Sequence, residues 1–548
     1  MKSFRKFLSI FLCAMILVGC GSSGDKDSGS GDKKKVINIA AAADIMSMDT
    51  SYATDGDSFT ALRLVNEGLY YVNAENGVEF GVAESLEKSD DGLVYTFKLR
   101  DDAKWSNGDD VTANDFVYAW KRLADPERAV EYAYMIGESG INVLNGEAAY
   151  QGEASLDDLG LKAVDEKTFE VTLAAPCAYF ESLMSFPIFY PINQKFAEEA
   201  GDAYATDVKN MLFNGPYTAT KWEHGSVMEL AKNDTYWAKD EIKLDGINIK
   251  TVKDVNSAIL AFQNGELDYC GINGETVAEW KDDEAYFEKL TGYYWYVTPN
   301  IDKMPDFQNK NLRLAFQQSF DKEDLVENVL KDGSSAANYV IPKTVAYLDG
   351  EDFRDTAGEY AKFDLEAAQA YYEEAKKELG KDTFTFDLKC FDDELAQKTA
   401  QFLKEQWETN LPGVTVNLVV KPKKAVSDEM KPDGGRDFEM GFTRWGPDYA
   451  DPSTYANLWI TKETSWNYGE WANEEYSELV TKAGVGEDVG DPEKRWQDYI
   501  DAEKIMLEDG AIFPVYQLGG ASLKNPKMKN LYYTAVNNEC YRYVELED

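Results

Sequence analysis

The feature that most constrains the fold of this chain is a regular alternation of strand and helix signals along its 548 residues. Residues 36–42 form a short apolar run, and residues 95–100 alternate apolar with polar side chains, as half-buried strands do. Thr112 with Asp115 makes a capping-box start for a helix that ends before Pro126. This alternation predicts an α/β fold with largely parallel sheets.

Later parts of the chain repeat the pattern. Asp254 caps a predicted helix that closes at Gly265, and a strand follows at 267–270. Farther on, the pattern predicts a helix, a strand, a second helix and a second strand at 364–379, 384–388, 394–409 and 414–420. The length is that of roughly two to four domains. We therefore expect a multidomain α/β protein.

The charge balance excludes one class of partner. Asp and Glu number 99 against 56 Lys and Arg, which gives a formal net charge of −43. Nucleic-acid binding needs a basic surface, so no nucleic-acid partner is expected. Hydrophobic residues make up 44% of the chain, which is enough for a large core.

The first twenty residues predict where the protein works. Residues 1–19 match a secretory signal peptide, since basic residues precede an apolar run at 7–19 that is shorter than the roughly 20 residues of a membrane-spanning helix. The run leads into Leu-Val-Gly-Cys, which resembles a bacterial lipobox, so Cys20 is the expected site of lipidation. An ordinary signal peptide that happens to contain a cysteine is the alternative. Residues 21–35 have no apolar side chain and predict a flexible tether of roughly 20 Å. We expect a lipid-anchored protein on the extracytoplasmic face of a bacterial membrane.

Metal-dependent chemistry finds little support in the sequence. His224 is the single histidine, which excludes sites that need two imidazoles. The cysteines beyond the N-terminal segment form no CxxC pair and are far apart: Cys177, Cys270, Cys390 and Cys540. The sequence is compatible both with disulfides between these cysteines and with free buried thiols. We expect neither a metal ion nor a cofactor.

Acidic and aromatic residues indicate two kinds of site. A pair of carboxylates could serve a glycoside hydrolase, but no pair stands out from the 99 acids, so an enzyme is not expected. Aromatic residues cluster at 293–296 and at Tyr132 with Tyr134. Each cluster could belong to the core, but together they are typical of a cleft that holds a ligand by stacking.

The segment 444–452 joins turn-forming residues to a tryptophan and two carboxylates. A carboxylate beside aromatic rings suits an ammonium group, through charge and cation–π attraction. Asp448 follows Trp445 by three residues and precedes Tyr449, which gives this combination. A plain surface turn is the alternative.

Several stretches resemble one known family. The segment 99–122, which reads LRDDAKWSNGDDVTANDFVYAWKR, is similar to a motif of family 5 extracellular solute-binding proteins, the binding components of peptide, nickel and related ABC importers. Four shorter stretches agree in the expected order, at 47–49, 214–237, 265–268 and 311–322. The segment 445–452 is similar to the peptide-binding branch.

The resemblance implies a two-lobed, three-domain clamshell of the class II periplasmic-binding-protein type, with the ligand enclosed between the lobes. Lobe I would comprise a core domain, at 36–56, 197–291 and 513–548, and an additional domain at 57–196. Lobe II would comprise residues 292–512, and a lipidated tether would precede the lobes at 20–35.

The resemblance also implies the binding residues. Asp448 matches an aspartate that pairs with the peptide α-ammonium, and Trp445 matches an aromatic residue of a side-chain pocket. Backbone groups of Ile45 and Met46 on one side, and of residues 444–446 on the other, would pair with the extended peptide. The complete set of expected ligand-binding residues is Ile45, Met46, Tyr132, Tyr134, Trp295, Lys423, Arg444, Trp445, Gly446, Asp448 and Tyr449.

Two departures from the family pattern bear on this site. A disulfide of well-known Gram-negative oligopeptide binders joins the positions that match Gly292 and Gly446, and both cysteines are replaced here. A pocket tryptophan of those proteins falls near Lys423, inside a basic run at 421–424. Lys423 could offer a cation to a peptide carboxylate, or the run could be an exposed loop.

The expected function is therefore capture and not catalysis. The resemblance implies a monomeric receptor that takes short peptides and delivers them to the permease and ATPase subunits of an ABC importer. Within the binding class, the alternatives are another solute, such as a nickel chelate or an oligosaccharide, and a peptide-pheromone receptor. A tethered glycoside hydrolase is the alternative from a different class.

Overall fold

The computed structural model describes residues 34–74, 76–138, 140–536 and 538–547. The predicted signal peptide, Cys20 and almost all of the predicted tether lie outside these residues. No helix among the described residues combines the length and the apolar character that crossing a bilayer requires.

The elements of the first 200 residues belong to the predicted lobe I. In chain order they are β1 (Val36–Ala41), α1 (Gly56–Val65), β2 (Tyr70–Val72), β3 (Val78–Phe80), β4 (Ala83–Lys88), β5 (Val94–Leu99), α2 (Ala113–Ala124), α3 (Gly146–Tyr150), β6 (Leu161–Asp165), β7 (Thr168–Thr172), α4 (Phe180–Leu183) and α5 (Gln194–Ala200).

The next segment returns through lobe I and ends in a long strand. Its elements are β8 (Tyr217–Glu223), β9 (Val227–Lys232), β10 (Gly246–Thr251), α6 (Val255–Gln263), β11 (Tyr269–Ile272), α7 (Gly274–Trp280) and β12 (Tyr286–Pro299).

The predicted lobe II contains most of the long helices. Its elements are α8 (Lys310–Gln318), α9 (Lys322–Asp324), β13 (Ser335–Ala336), β14 (Tyr347–Leu348), β15 (Glu351–Asp352), α10 (Phe353–Thr356), α11 (Leu365–Leu379), β16 (Phe384–Phe391), α12 (Glu394–Asn410), β17 (Val414–Lys421), α13 (Lys423–Met430), β18 (Met440–Trp445), α14 (Ser453–Ala456), α15 (Glu474–Gly484) and α16 (Pro492–Glu508).

The C-terminal segment belongs to the predicted lobe I. It comprises β19 (Phe513–Lys524), β20 (Met528–Lys529), β21 (Tyr532–Thr534), β22 (Asn538–Cys540) and β23 (Glu545–Leu546).

One mixed sheet runs through both lobes. Its strand order is β17-β16-β18-β12-β19-β11-β1-β10-β9-β8, and β13 pairs with β19 outside this path. The long strands β12 and β19 lie in the middle and pair antiparallel, with a register shift between Leu290 and Tyr294. They carry the sheet from one lobe to the other, because β19 pairs with β11 of lobe I while β12 pairs with β18 of lobe II.

The α/β class is confirmed, but the prediction of largely parallel sheets is wrong. Parallel pairs join β1 to β10 and β11, and β16 to β17 and β18. The hairpin of β8 and β9 is antiparallel, as strands joined by a short turn must be, and so is the separate sheet β4-β5-β7-β6. Hydrophobic patterning identifies strands but does not show whether neighbouring strands run parallel or antiparallel.

Most predicted helices begin where their caps indicate. Thr112 N–H donates to Asp115 Oδ2 at 2.9 Å at the start of α2, and Asp254 caps α6. The strand predicted at 267–270 is displaced to Tyr269–Ile272. Asp268 lies just before this strand, and its carboxylate accepts the Asn38 N–H at 2.8 Å.

The aromatic run at 293–296 contributes to two cores. Trp295 faces one core of lobe II, and Tyr294 and Tyr296 face another on the opposite side of the sheet. A central strand buried on both faces reads as a continuous apolar run, which explains the sequence pattern.

The sequence left open whether the four cysteines form disulfides, and in the structure all four are free thiols. Cys177, Cys270 and Cys390 are buried and Cys540 is half-buried, and all four are unpaired. Burial raises the pKa of the Cys270 thiol to about 11, which keeps it protonated and unreactive.

Candidate functional site

The segment after β18 lies where the two predicted lobes face each other. The Tyr449 ring stacks on Tyr179 of lobe I, with ring centroids 4.5 Å apart and planes at 19°. The Ala450 N–H donates to Ser182 Oγ, also in lobe I, at 3.2 Å. The segment is thus an interlobe contact and not the plain surface turn that the sequence left open.

Asp448 presents an unpaired carboxylate inside this contact. Its backbone N–H donates to Thr454 Oγ1 at 3.1 Å, which fixes the residue in place. Burial raises the pKa of its carboxyl from 3.8 to about 7, and the described part of the chain offers no cation to offset that burial. A ligand that brings an ammonium group would supply the missing charge.

Two tyrosines of lobe I meet this carboxylate. Tyr132 and Tyr134 lie on the 3₁₀ turn Glu131–Ile136, and their ring centroids are 6.0 Å apart. Burial raises the pKa of both hydroxyls well above 10, and the nearby Asp448 charge raises it further. The structure therefore brings Tyr132, Tyr134 and Asp448 together, although they are far apart in sequence.

The strand that leads to Asp448 has a free edge. On one side β12 pairs with β18 along its whole length, from Met440 to Trp445. On the other side β16 reaches only Met440 and Gly441. Residues 442–445 consequently leave one edge without a strand partner in the described part of the chain, and an extended peptide can add there as a strand.

The opposite wall is only partly available for backbone pairing. Met46 N–H and Ser47 N–H both donate to Ser58 Oγ, at 3.0 and 3.1 Å. Within the described residues no hydrogen bond engages the Met46 carbonyl or the N–H and carbonyl of Ile45, which leaves these groups for a ligand. The Ile45 side chain is buried, whereas that of Met46 is 74% exposed.

The two predicted tryptophans differ in their surroundings. Trp445 is half-buried, and its ring packs against Trp466 with centroids 4.9 Å apart. Trp295 is only 2% exposed and packs among the rings of Phe391, Phe442 and Tyr516. Trp295 thus belongs to the lobe II core and does not present an open face to the cleft.

The glycines at the positions of the missing disulfide have a steric role. A Cβ on Gly446 would lie 2.5 Å from Cε1 of Tyr293, and a Cβ on Gly292 would lie 2.5 Å from Cγ of Pro447. The segments 292–293 and 446–447 therefore pack against each other closely, where the two cysteines would otherwise join them.

Arg444 lies beside this packed region, and Lys423 lies on the helix that follows β17. The Arg444 guanidinium carbon is 4.9 Å from the Tyr293 ring centroid and 5.3 Å from that of Trp295. Lys423 begins helix α13, so the basic run is not simply an exposed loop. Its neighbours Lys421 and Lys424 form ion pairs at 2.7 and 2.8 Å, whereas no ion pair involves Lys423 in the part of the chain that the structure describes.

Sequence reasoning missed the lobe I side of the contact. Tyr179 and Ser182 contact residues about 270 positions away. Neither lies in a motif or a periodic pattern that would mark it. The Arg444 side chain was also missed, because only its backbone was assigned a role.

Comparisons with known proteins agree with this geometry. The model of the family described as "Bacterial extracellular solute-binding proteins, family 5 Middle" matches residues 77–467. The oligopeptide-binding protein OppA of Bacillus subtilis (strain 168) is 32% identical over 555 residues, which cover 97% of this chain and 97% of that protein.

Solved structures show the same fold. The substrate-binding domain of an oligopeptide ABC transporter from Bacillus anthracis str. Ames superposes with a TM-score of 0.78 at 38% identity, over 94% of this chain and 100% of that chain. Listeria monocytogenes OppA bound to peptide superposes with a TM-score of 0.77 at 34% identity, over 94% of this chain and 99% of that chain. The predicted two-lobed class II fold is confirmed.

Proposed function

This chain belongs to the bacterial extracellular solute-binding proteins of family 5, and on that premise we propose that it captures short peptides between its lobes for delivery to an ABC importer. The observation that carries the proposal is the unpaired Asp448 carboxylate beside the free edge of β18.

Asp448 would receive the α-ammonium of the peptide. Its carboxyl lies between the lobes, where burial has raised its pKa to about 7. A hydrogen bond between charged groups is stronger than one between neutral groups and gains further in a desolvated site. Tyr132 and Tyr134 would cover this end of the peptide. Both hydroxyls lie close enough to Asp448 for its negative charge to raise their pKa.

The peptide backbone would pair with the free edge of residues 442–445 and with the open groups of Ile45 and Met46. Main-chain pairing gives affinity without reading side chains, which suits a receptor that accepts many sequences. Trp445 would line one side-chain pocket, and Tyr449 would join the lobes by stacking on Tyr179.

Closure of the lobes would follow from ligand contacts made to both of them. A ligand shifts the equilibrium between open and closed forms only through the extra contacts that it makes in the closed form. The ligand would leave unchanged, so this function is binding and not catalysis.

The cellular setting of the proposal comes from the N-terminal sequence and from the family. Cys20 would carry the lipid anchor on the extracytoplasmic face of a bacterial membrane, and residues 21–35 would act as the tether. The partners would be the permease and ATPase subunits of the importer, with the receptor acting as a monomer. We retain the three-domain division, with lobe II at 292–512, as part of this proposal.

The test compares Asp448→Asn with the unchanged protein by titration calorimetry. We expect the variant to lose about 10- to 100-fold in affinity for a peptide with a free amino terminus, since hydrogen bonds to charged groups contribute about 1.5–3 kcal/mol. Binding of the N-acetylated peptide should change little. Asp428→Asn is the matched control, because Asp428 is exposed and paired with Lys424.

Equal losses for the free and the acetylated peptide would remove Asp448 from this role. Mass spectrometry of ligand that co-purifies with the protein identifies the solute class independently. A nickel chelate or an oligosaccharide as the main ligand would overturn the proposal, and one defined peptide would favour a pheromone receptor.

A further inference from the structure

We propose that a small monovalent anion, of the size of chloride, binds in a cavity inside the predicted lobe I, between Arg63 and Arg542. This site goes beyond the proposed function, because none of the expected peptide-binding residues lines the cavity. The ion would hold helix α1 against the C-terminal segment of the chain.

The cavity lies where the two predicted domains of lobe I meet. One wall comes from α1 and the segment after it, and another from the β21–β22 hairpin and the two residues that follow. Its volume is about 50 Å³, whereas a single water molecule needs about 10–15 Å³. The cavity thus has room for a small ion with about one or two water molecules.

Two arginines that line the cavity have N–H donors without acceptors. The Nε atoms of Arg63 and Arg542 are both buried, and neither has a hydrogen-bond partner in the described residues. No hydrogen bond or ion pair there involves any other atom of the Arg63 side chain, whose guanidinium carbon lies 5.8 Å from the Phe59 ring centroid. Buried donors are costly to leave unsatisfied, and an anion can accept from both of them.

The acids that line the cavity are engaged by other cations. Glu67 Oε2 accepts from Arg542 Nη1 at 2.5 Å, and Glu539 is paired with Lys289. Neither acid lies within ion-pair distance of Arg63 in the part of the chain that the structure describes. Glu67 thus balances Arg542, and Lys289 balances Glu539. The single positive charge of Arg63 is left over, which matches a monovalent anion.

Burial penalises the unpaired charge of Arg63. Desolvation lowers the pKa of its guanidinium below its usual range. Ionisation of the Tyr190 hydroxyl or the Cys540 thiol would offset this most, but burial raises the pKa of both groups, that of Cys540 to about 11. Both groups are therefore neutral at pH 7. An anion in the cavity would supply the negative charge that the side chains do not.

One more polar atom of the cavity wall indicates that a water molecule accompanies the ion. Asn66 Oδ1 is buried and has no hydrogen-bond partner in the described residues. A water molecule would donate one hydrogen to Asn66 and the other to the ion, while the ion accepts from Arg63 and Arg542. Water alone would satisfy the hydrogen bonds but would leave the Arg63 charge uncompensated.

The first experiment measures the thermal unfolding of the ligand-free protein in sodium chloride and in sodium gluconate at equal ionic strength. Gluconate is also monovalent but is too large for this cavity. Both salts are tested on the unchanged protein, on Arg63→Gln and on Arg128→Gln. Arg128→Gln is the matched control, because Arg128 is an exposed arginine of lobe I that pairs with Asp125 at 3.3 Å.

We expect the Tm of the unchanged protein and of Arg128→Gln to be about 1–3 °C higher in chloride, because a ligand that binds only the folded state stabilises it. Arg63→Gln should have the same Tm in both salts. An equal effect of chloride on Arg63→Gln and on the unchanged protein would overturn the inference.

The second experiment locates the ion directly and does not depend on whether Arg63→Gln folds. Crystals of the unchanged protein are grown in sodium bromide, and the anomalous scattering of bromide is mapped. We expect a peak in the cavity beside Arg63 and Arg542. Absence of this peak would mean that water alone fills the cavity. A peak without any effect of chloride in solution would mean binding at crystal concentration only. Either result would overturn the inference while the proposed peptide binding stands.

Discussion

Two buried acids inside the lobes, Asp49 and Asp451, are each paired with an arginine, whereas Asp448 in the cleft between the lobes is not. Arg495 contacts Asp451 at 2.8 Å, and Arg122 contacts Asp49 at 2.6 Å, with all four side chains largely buried. Asp448, only three residues before Asp451, has no such cation in the described structure. Burying a charge is costly unless a partner offsets the cost. For Asp49 and Asp451 the lobes supply that partner themselves, and for Asp448 we propose that the ligand does.

The largest effect should come from removing one member of an interior pair. We expect Asp451→Asn to lower the free energy of unfolding by about 3–5 kcal/mol, because it leaves the buried Arg495 charge unpaired. Asp448→Asn, by contrast, should leave stability unchanged or raise it, since it removes a buried charge that had no partner. Urea unfolding of the ligand-free proteins measures both. A similar loss of stability in both variants would break the comparison.

A smaller effect should appear as the pH dependence of binding. Burial raises the Asp448 pKa to about 7, so below that pH the free protein holds this carboxyl protonated. Binding an ammonium needs the ionised form and lowers the pKa, so peptide binding should release a proton. Affinity should therefore fall by up to about tenfold per pH unit below 7. It should also fall above about 8, where the peptide amine loses its proton.

Calorimetry in buffers of different ionisation enthalpy measures the proton release. The N-acetylated peptide and the Asp448→Asn protein serve as controls, and neither should show this pH dependence. A free-amine peptide that binds with constant affinity from pH 5 to pH 7 would contradict the assignment.

The smallest expected loss of peptide affinity comes from weakening the contact that closes the two lobes. Ser182→Ala removes the hydrogen bond from Ala450 N–H across the lobes. One such bond contributes about 0.5–1.5 kcal/mol, so affinity should fall about 2- to 10-fold, and equally for free and acetylated peptides. A loss confined to free-amine peptides would place Ser182 in the ammonium site instead. Thr206→Ala is a suitable control, because its hydroxyl bonds only within an exposed loop of lobe I.

The sequence predicted those parts of the fold that depend on local chemistry. Asp254 and Thr112 cap their helices as expected because a cap needs only residues within one turn. Strand direction was not predictable, since β8 and β9 have the same apolar pattern in either direction. The position of Trp295 in the core was equally hidden, because a buried strand and an aromatic cleft use the same residue types.

The candidate site also has parts that the sequence predicted and parts that it did not. The segment at 444–452 could be recognised because its aromatic and acidic residues are adjacent in sequence. The contacts of Tyr449 with Tyr179, and of Ala450 with Ser182, depend on how two distant segments pack. The unpaired state of Arg444 is less predictable still, since it depends on where the surrounding acids are engaged.

The free edge of β18 has a consequence for the protein as a solute. An uncovered strand edge is a template on which the sheets of other molecules can grow, and proteins usually block it. Here the segment that follows the edge contacts the opposite lobe through Tyr449 and Ala450, so a slender, extended chain can reach the edge more readily than the sheet of a second folded molecule. The cleft that admits a peptide would thereby also protect the protein against edge-to-edge aggregation.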